Sequence, residues 1–191
     1  MINKATVLRA AANFSTLYGI GLRTVLLLSV ALSTKFAFSA ELPTGWRVPT
    51  AKELAAEPLR KKSPTRNAKA VGDFNGDGTP DQAYQVISRK FCGEGLVVRL
   101  SSPKGFTWKI INQIDWGKDC TSSALDMGID LAKRGDYMTA CGKGYWECGI
   151  NEPKVLKLKM PGIWHFRFES AASIWYWDHK SKEFMQVWIS D

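Results

Sequence analysis

The stretch Leu96-Val97-Val98-Arg99-Leu100-Ser101-Ser102-Pro103-Lys104-Gly105-Phe106-Thr107-Trp108-Lys109-Ile110 decides the fold class. Leu96, Val98 and Leu100 alternate with Val97 and Arg99, and Phe106, Trp108 and Ile110 alternate with Thr107 and Lys109. Residues two apart share one face of a strand, so this period marks two strands, each with a buried face. Ser102-Pro103-Lys104-Gly105 supplies turn chemistry between them. The same period returns in Leu156, Leu158 and Met160 against Lys157 and Lys159. It returns again in Trp164, Phe166 and Phe168 against His165, Arg167 and Glu169, which puts His165 on a polar face. Further turns fall at Cys92-Gly93-Glu94-Gly95, Pro161-Gly162 and His179-Lys180-Ser181-Lys182. From Ala68 onward the reading is about seven to nine short strands in mostly meander order, a mainly β fold: an antiparallel sandwich or a barrel-like sheet. Residues 115–135 fit least, being rich in Asp and Gly, and read as a long loop with a short strand near 127–131. In the aromatic C-terminal pair, 173–178 and 183–190, Trp175 and Trp177 point opposite to Ile174 and Tyr176, so both faces should be covered.

Ahead of the strands the pattern changes. Residues 1–40 hold Lys4, Arg9, Arg23 and Lys35 and no acid, a short apolar run at 24–32, and small residues at Ala37, Ser39 and Ala40. That order is expected of a signal peptide cleaved after Ser39 or Ala40, with retention as an anchor the alternative. The apolar run is far short of the roughly 20 residues that span a bilayer, so no stable span is expected after cleavage. Of the 26 basic residues, four lie in that segment, leaving 22 against 18 acids and a net charge of +4. The excess sits in a lead-in at 41–67 and its border, where Arg60-Lys61-Lys62 and Arg66 read as a solvated basic linker. Nucleic acid is not an expected partner. Within the lead-in, Thr50 precedes Ala51-Lys52-Glu53-Leu54-Ala55-Ala56-Glu57 and Pro58. Thr50 and Glu53 have the spacing of a capping box and Pro58 stops the chain, so one short helix is expected, with Trp46 and Leu54 packing it onto the body.

One segment carries specific chemistry: Asp73-Phe74-Asn75-Gly76-Asp77-Gly78-Thr79-Pro80-Asp81. Calcium takes about six to eight oxygen ligands, which a short loop supplies from alternating positions. Asp73, Asn75, Asp77 and Asp81 stand at positions one, three, five and nine, with Gly78 at the sharp turn and the Thr79 carbonyl available at seven. A divalent cation would relieve the repulsion among three carboxylates. The loop is not an EF-hand: Tyr84 stands where that motif has Glu, and the flanks read as strands. The segment 71–83 resembles the D-x-N-G-D-G-x-x-D calcium loop of FG-GAP and VCBS-type repeats. The resemblance implies Asp73, Asn75, Asp77 and Asp81 as side-chain ligands and Thr79 as a carbonyl ligand of a structural calcium ion. It covers about 15 residues in one copy, so a propeller is not implied. An Asn-Gly/Asp-Gly hairpin turn without metal is the alternative.

Cys92, Cys120, Cys141 and Cys148 all follow the export segment, and an even count in an oxidising compartment reads as two disulfides. Of three pairings, Cys141 with Cys148 and Cys92 with Cys120 is expected. The first closes Cys141-Gly142-Lys143-Gly144-Tyr145-Trp146-Glu147-Cys148 into a tight loop displaying Lys143, Tyr145 and Trp146, residue types suited to partner binding. No C-x-x-C pair, G-x-S-x-G elbow or H-E-x-x-H is present, and no catalytic residue is assigned. The expectation is a periplasmic or secreted, calcium-stabilised β protein that binds a macromolecule of the cell envelope, as an inhibitor or immunity protein would. The alternatives are an envelope hydrolase acting on peptidoglycan or glycans, with Asp126 and Asp130 as acid and base, and a structural accessory module.

Overall fold

The computed structural model describes residues 41–191 except 64 and 118–124. Residues 1–40, where a signal peptide is expected, and Cys120, with its expected bond to Cys92, lie outside the described residues. Eleven strands are described, with one short α-helix. Sheet A contains β1 (Trp46–Arg47), β3 (Asp81–Ser88), β4 (Gly93–Ser102) and β5 (Gly105–Asp115) in that order, with β2 (Lys69–Gly72) also on β3. Sheet B runs β11 (Glu183–Ser190), β10 (Ala172–Asp178), β9 (Gly162–Arg167), β6 (Met127–Ala132). A third layer is the hairpin of β7 (Gly135–Met138) and β8 (Val155–Leu158). All pairings are antiparallel. The result is an open sandwich, since each sheet keeps two ends.

Alternation explains the layers. Leu96, Val98 and Leu100 of sheet A meet Ile129, Ile163, Trp175 and Phe184 of sheet B in the main core. The other face of sheet B buries Ile174, Val187 and Ile189 beneath Leu156 and Leu158 of the hairpin. Trp175 and Trp177 thus join one core while Ile174 and Tyr176 join the other, as the period of two requires. Each such fully buried aliphatic side chain is worth about 1.5–3 kcal/mol.

Two readings are corrected. Phe106, Trp108 and Ile110 do not face the main core: they pair beside Ser101, Arg99 and Val97 on the outer face of sheet A. There Phe106 and Ile110 are exposed and Trp108 packs near Trp46 and Val86. His165 is no surface residue; it faces between the sheets and is buried. The cause is shared: both faces of these sheets carry apolar residues, so alternation marks the period without saying which face is innermost.

The lead-in is stitched to the sheets. Trp46 pairs with Ser88, and α1 (Ala51–Ala56) starts at Thr50, whose Oγ1 accepts from Glu53 N while Thr50 N donates to Glu53 Oε2. Arg47 grips the same carboxylate at 2.6 and 2.8 Å, which lowers the Glu53 pKa to about 2. Arg60 departs from the solvated linker expected of it, being 1 % exposed. Its guanidinium donates to the carbonyls of Met127 (2.6 Å), Leu125 (3.1 Å), Asn67 and Arg66 (3.2 Å each), and stacks on Phe168. Four carbonyls and a ring replace the water that burial removes.

Glu94 holds the same segment by its N–H groups. Its Oε1 accepts from Asp126 N (3.1 Å) and Met127 N (3.2 Å), and its Oε2 from Gln85 Nε2 (2.6 Å). Burial raises its pKa to about 7, against the hydrogen bonds that favour the anion. Gln85 Oε1 has no partner among the described residues, and a protonated Glu94 would donate to it after an amide flip.

A folded pKa raised above the unfolded one gives stability that is present at low pH and lost as pH rises through about 7. Buried His165, with its pKa lowered to about 4, works in the opposite sense and loses stability as pH falls. The difference between wild type and Glu94→Gln isolates the first effect. From pH 4.5 to pH 8 the wild type should lose up to about 3 kcal/mol relative to the variant in urea denaturation.

Candidate functional site

The acidic loop lies between β2 and β3 and is anchored at both ends. Phe74 is fully buried in the main core, and Asp81 opens β3 with a fully buried carboxylate. Asp81 Oδ2 accepts from Phe74 N (3.0 Å) and Oδ1 from Ser101 N (2.7 Å), tying the loop to the end of β4. Burial raises the Asp81 pKa, while those N–H bonds oppose the rise. At the outer end, Asp73 Oδ1 accepts from Gly76 N and Asp77 N, and Oδ2 from Gly78 N. Asn75 Oδ1 accepts from Asp77 N, and Asp77 Oδ1 from Thr79 N, a bond that lowers the Asp77 pKa. Gly76 is required twice over, by φ of +75° and because a Cβ would meet Met160 Sδ at 2.1 Å.

The donor set is all oxygen, which suits a hard cation. As placed, however, those oxygens cap the turn's own amides, and Asn75 Nδ2 donates to Asp77 Oδ2. Among the described residues no three His, Cys, Asp or Glu side chains are gathered as a metal-ligand set.

The second site is the loop closed by the Cys141–Cys148 disulfide, with Cα atoms 4.9 Å apart. It follows β7 through Thr139, a buried residue whose hydroxyl donates to Pro153 O and accepts from Gly142 N. Lys143 N, Gly144 N and Tyr145 N bond back to the carbonyls of Thr139, Cys141 and Ala140, which winds the chain into a compact turn. Of the three expected partner-binding residues, Tyr145 and Trp146 are displayed, 56 % and 38 % exposed. Lys143 instead ties the loop to the sandwich, donating from Nζ to Ile189 O at 2.8 Å. Glu152 fixes the Trp146 ring by accepting from Nε1 at 3.1 Å on each oxygen. Sequence reading missed Glu152, whose pattern carries no signal, and also Phe74, which hides among the acids of its loop.

Asp126 and Asp130 are not brought together as an acid–base pair. Asp126 pairs with Arg167 at 3.2 Å, and Asp130 Oδ1 accepts from Leu131 N. His165, the buried histidine, has Nδ1 3.5 Å from Asn112 Nδ2. Among the described residues no helix is long and apolar enough to cross a membrane. No protein-family model, curated protein or solved structure matches this chain.

The anchoring of the acidic loop is testable without any ion. In Asp81→Asn one of the two N–H groups, of Phe74 or Ser101, would face an amide NH2. The expected cost is about 1–3 kcal/mol, read as a lowered urea midpoint with an unchanged slope.

Proposed function

We propose that this chain is an exported, calcium-stabilised β-sandwich protein that binds a macromolecular partner of the cell envelope, as an inhibitor or immunity protein does. The observation that carries the reading is the disulfide-pinned loop at 141–148, which holds Tyr145 and Trp146 out to solvent with the Trp146 N–H fixed by Glu152. Rigid aromatic side chains lose little rotamer entropy on docking, so they suit recognition. A disulfide fits an oxidising compartment. Calcium, in this reading, is held by the side chains of Asp73, Asn75, Asp77 and Asp81 with the Thr79 carbonyl. It would neutralise the three carboxylates and so support the turn that enters β3. The order of residues and the tight glycine turn support that assignment.

Trp146→Ala should leave the melting temperature within a degree or two and weaken binding to an envelope partner, isolated by affinity capture, by at least about tenfold. Full-strength binding by that variant would remove the loop from the interface. Calcium should raise the melting temperature, by an amount equal to about 2.7 kcal/mol at a hundredfold excess over Kd, and chelator should reverse it. Asp77→Ala should abolish that response; calorimetry showing no heat of binding to the wild type would exclude the ion.

A further inference from the structure

The two sides of the sandwich are closed differently. On one side the chain from Asn67 to Gly72 spans both sheets. Asn67 O accepts from Ile129 N of β6, Asn67 Nδ2 donates to Ile129 O, and β2 pairs with β3. On the other side the outermost strands are β5 and β11, linked by Lys109 Nζ to Glu183 Oε1 at 2.6 Å. β5 carries usual defences of an edge: Lys109, and a register break opposite Leu96 and Val97. β11, Glu183-Phe184-Met185-Gln186-Val187-Trp188-Ile189-Ser190, has neither Lys nor Pro.

The edge of β11 is already paired at one end. Trp188 O points away from β10 and accepts from Ala140 N at 2.8 Å, at the root of the disulfide loop. Backbone groups alternate along a strand, so Gln186 and Phe184 direct their N–H and C=O the same way. Among the described residues no strand covers them. Beside this stretch lies a groove of about 530 Å³, walled by Trp146 and Glu152 on one side and by Tyr176, Met185 and Trp188 on the other. Met185 and Trp188 are 45 % and 41 % exposed. Among the described residues, Glu152 is the one charged residue lining the groove, and its oxygens meet neutral donors, Trp146 Nε1 and Gly149 N.

We infer that the open edge of β11 is a strand-addition site, which takes an extended, apolar segment of a partner protein with a basic residue set against Glu152. The inference rests on the reading of the disulfide loop as a recognition surface and names how that surface is used. An incoming strand would continue the ladder that Ala140 begins, bonding to Gln186 and Phe184, and lay alternate side chains in the groove. A basic residue there would meet the uncompensated charge of Glu152.

The probe is a displayed library of short random linear peptides, selected on the full-length protein. Enriched sequences should alternate apolar residues and carry Lys or Arg. N-methylation at alternate residues of a selected peptide should weaken it about tenfold, with the intervening residues tolerant. Gln186→Pro, which deletes an outward N–H, should weaken binding similarly; Gln186→Ala, which keeps it, should not. Glu152→Gln should weaken the basic peptides selectively. Peptides that need Trp146 but tolerate N-methylation throughout would overturn strand addition and leave the loop as a recognition surface. Peptides indifferent to Trp146→Ala would count against both. No enrichment, or dimerisation in sedimentation that Gln186→Pro abolishes, would overturn the partner assigned here, the latter in favour of a second copy.

Discussion

Two buried ionisable side chains hold the three parts of this fold in register. Arg60, from the lead-in, binds the carbonyls of Leu125 and Met127, while Glu94, from sheet A, binds the N–H groups of Asp126 and Met127. The backbone entering sheet B is thereby held by its acceptors and its donors at once. Burial lowers the pKa of Arg60, opposed by the charges of Glu94 and Glu57. Such a pair adds little net stability over an apolar core, because desolvation offsets attraction. It adds position. A one-residue slip of β6 would reverse every side chain on the strand, and the clamp specifies a single register.

Most of the layer plan was legible from period and punctuation. The hairpin of β4 and β5, the capping box at Thr50 and Glu53, and the two-faced C-terminal pair all follow from local rules that the structure keeps. What was not legible is which of two apolar faces lies deepest. Phe106 and Ile110 look like core and face outward, whereas His165 looks like surface and is buried. Arg60 shows the same limit: three adjacent basic residues resemble a solvated run, and only long-range partners single one out. Those partners lie 65 and 67 residues away in sequence, beyond any pattern a local window holds.

The two candidate sites differ in how much of each the sequence displayed. In the acidic loop every oxygen donor was visible, but the role of Phe74 was not; its burial makes the turn a plug in the main core. In the disulfide loop the cysteines announced the closure and the aromatics their display. The tether of Lys143 to Ile189 and the brace of Glu152 on Trp146 required the third dimension.

The wide sequence separation of the Arg60 contacts bears on how the chain reaches this state. Native bonds that close loops of more than 60 residues must wait until the intervening entropy has been overcome. The lead-in therefore reaches its final seat only after β6 has been made. Until then an arginine and a row of apolar strand residues stay uncovered, and the slow step of assembly should be the arrival of the second sheet on the first.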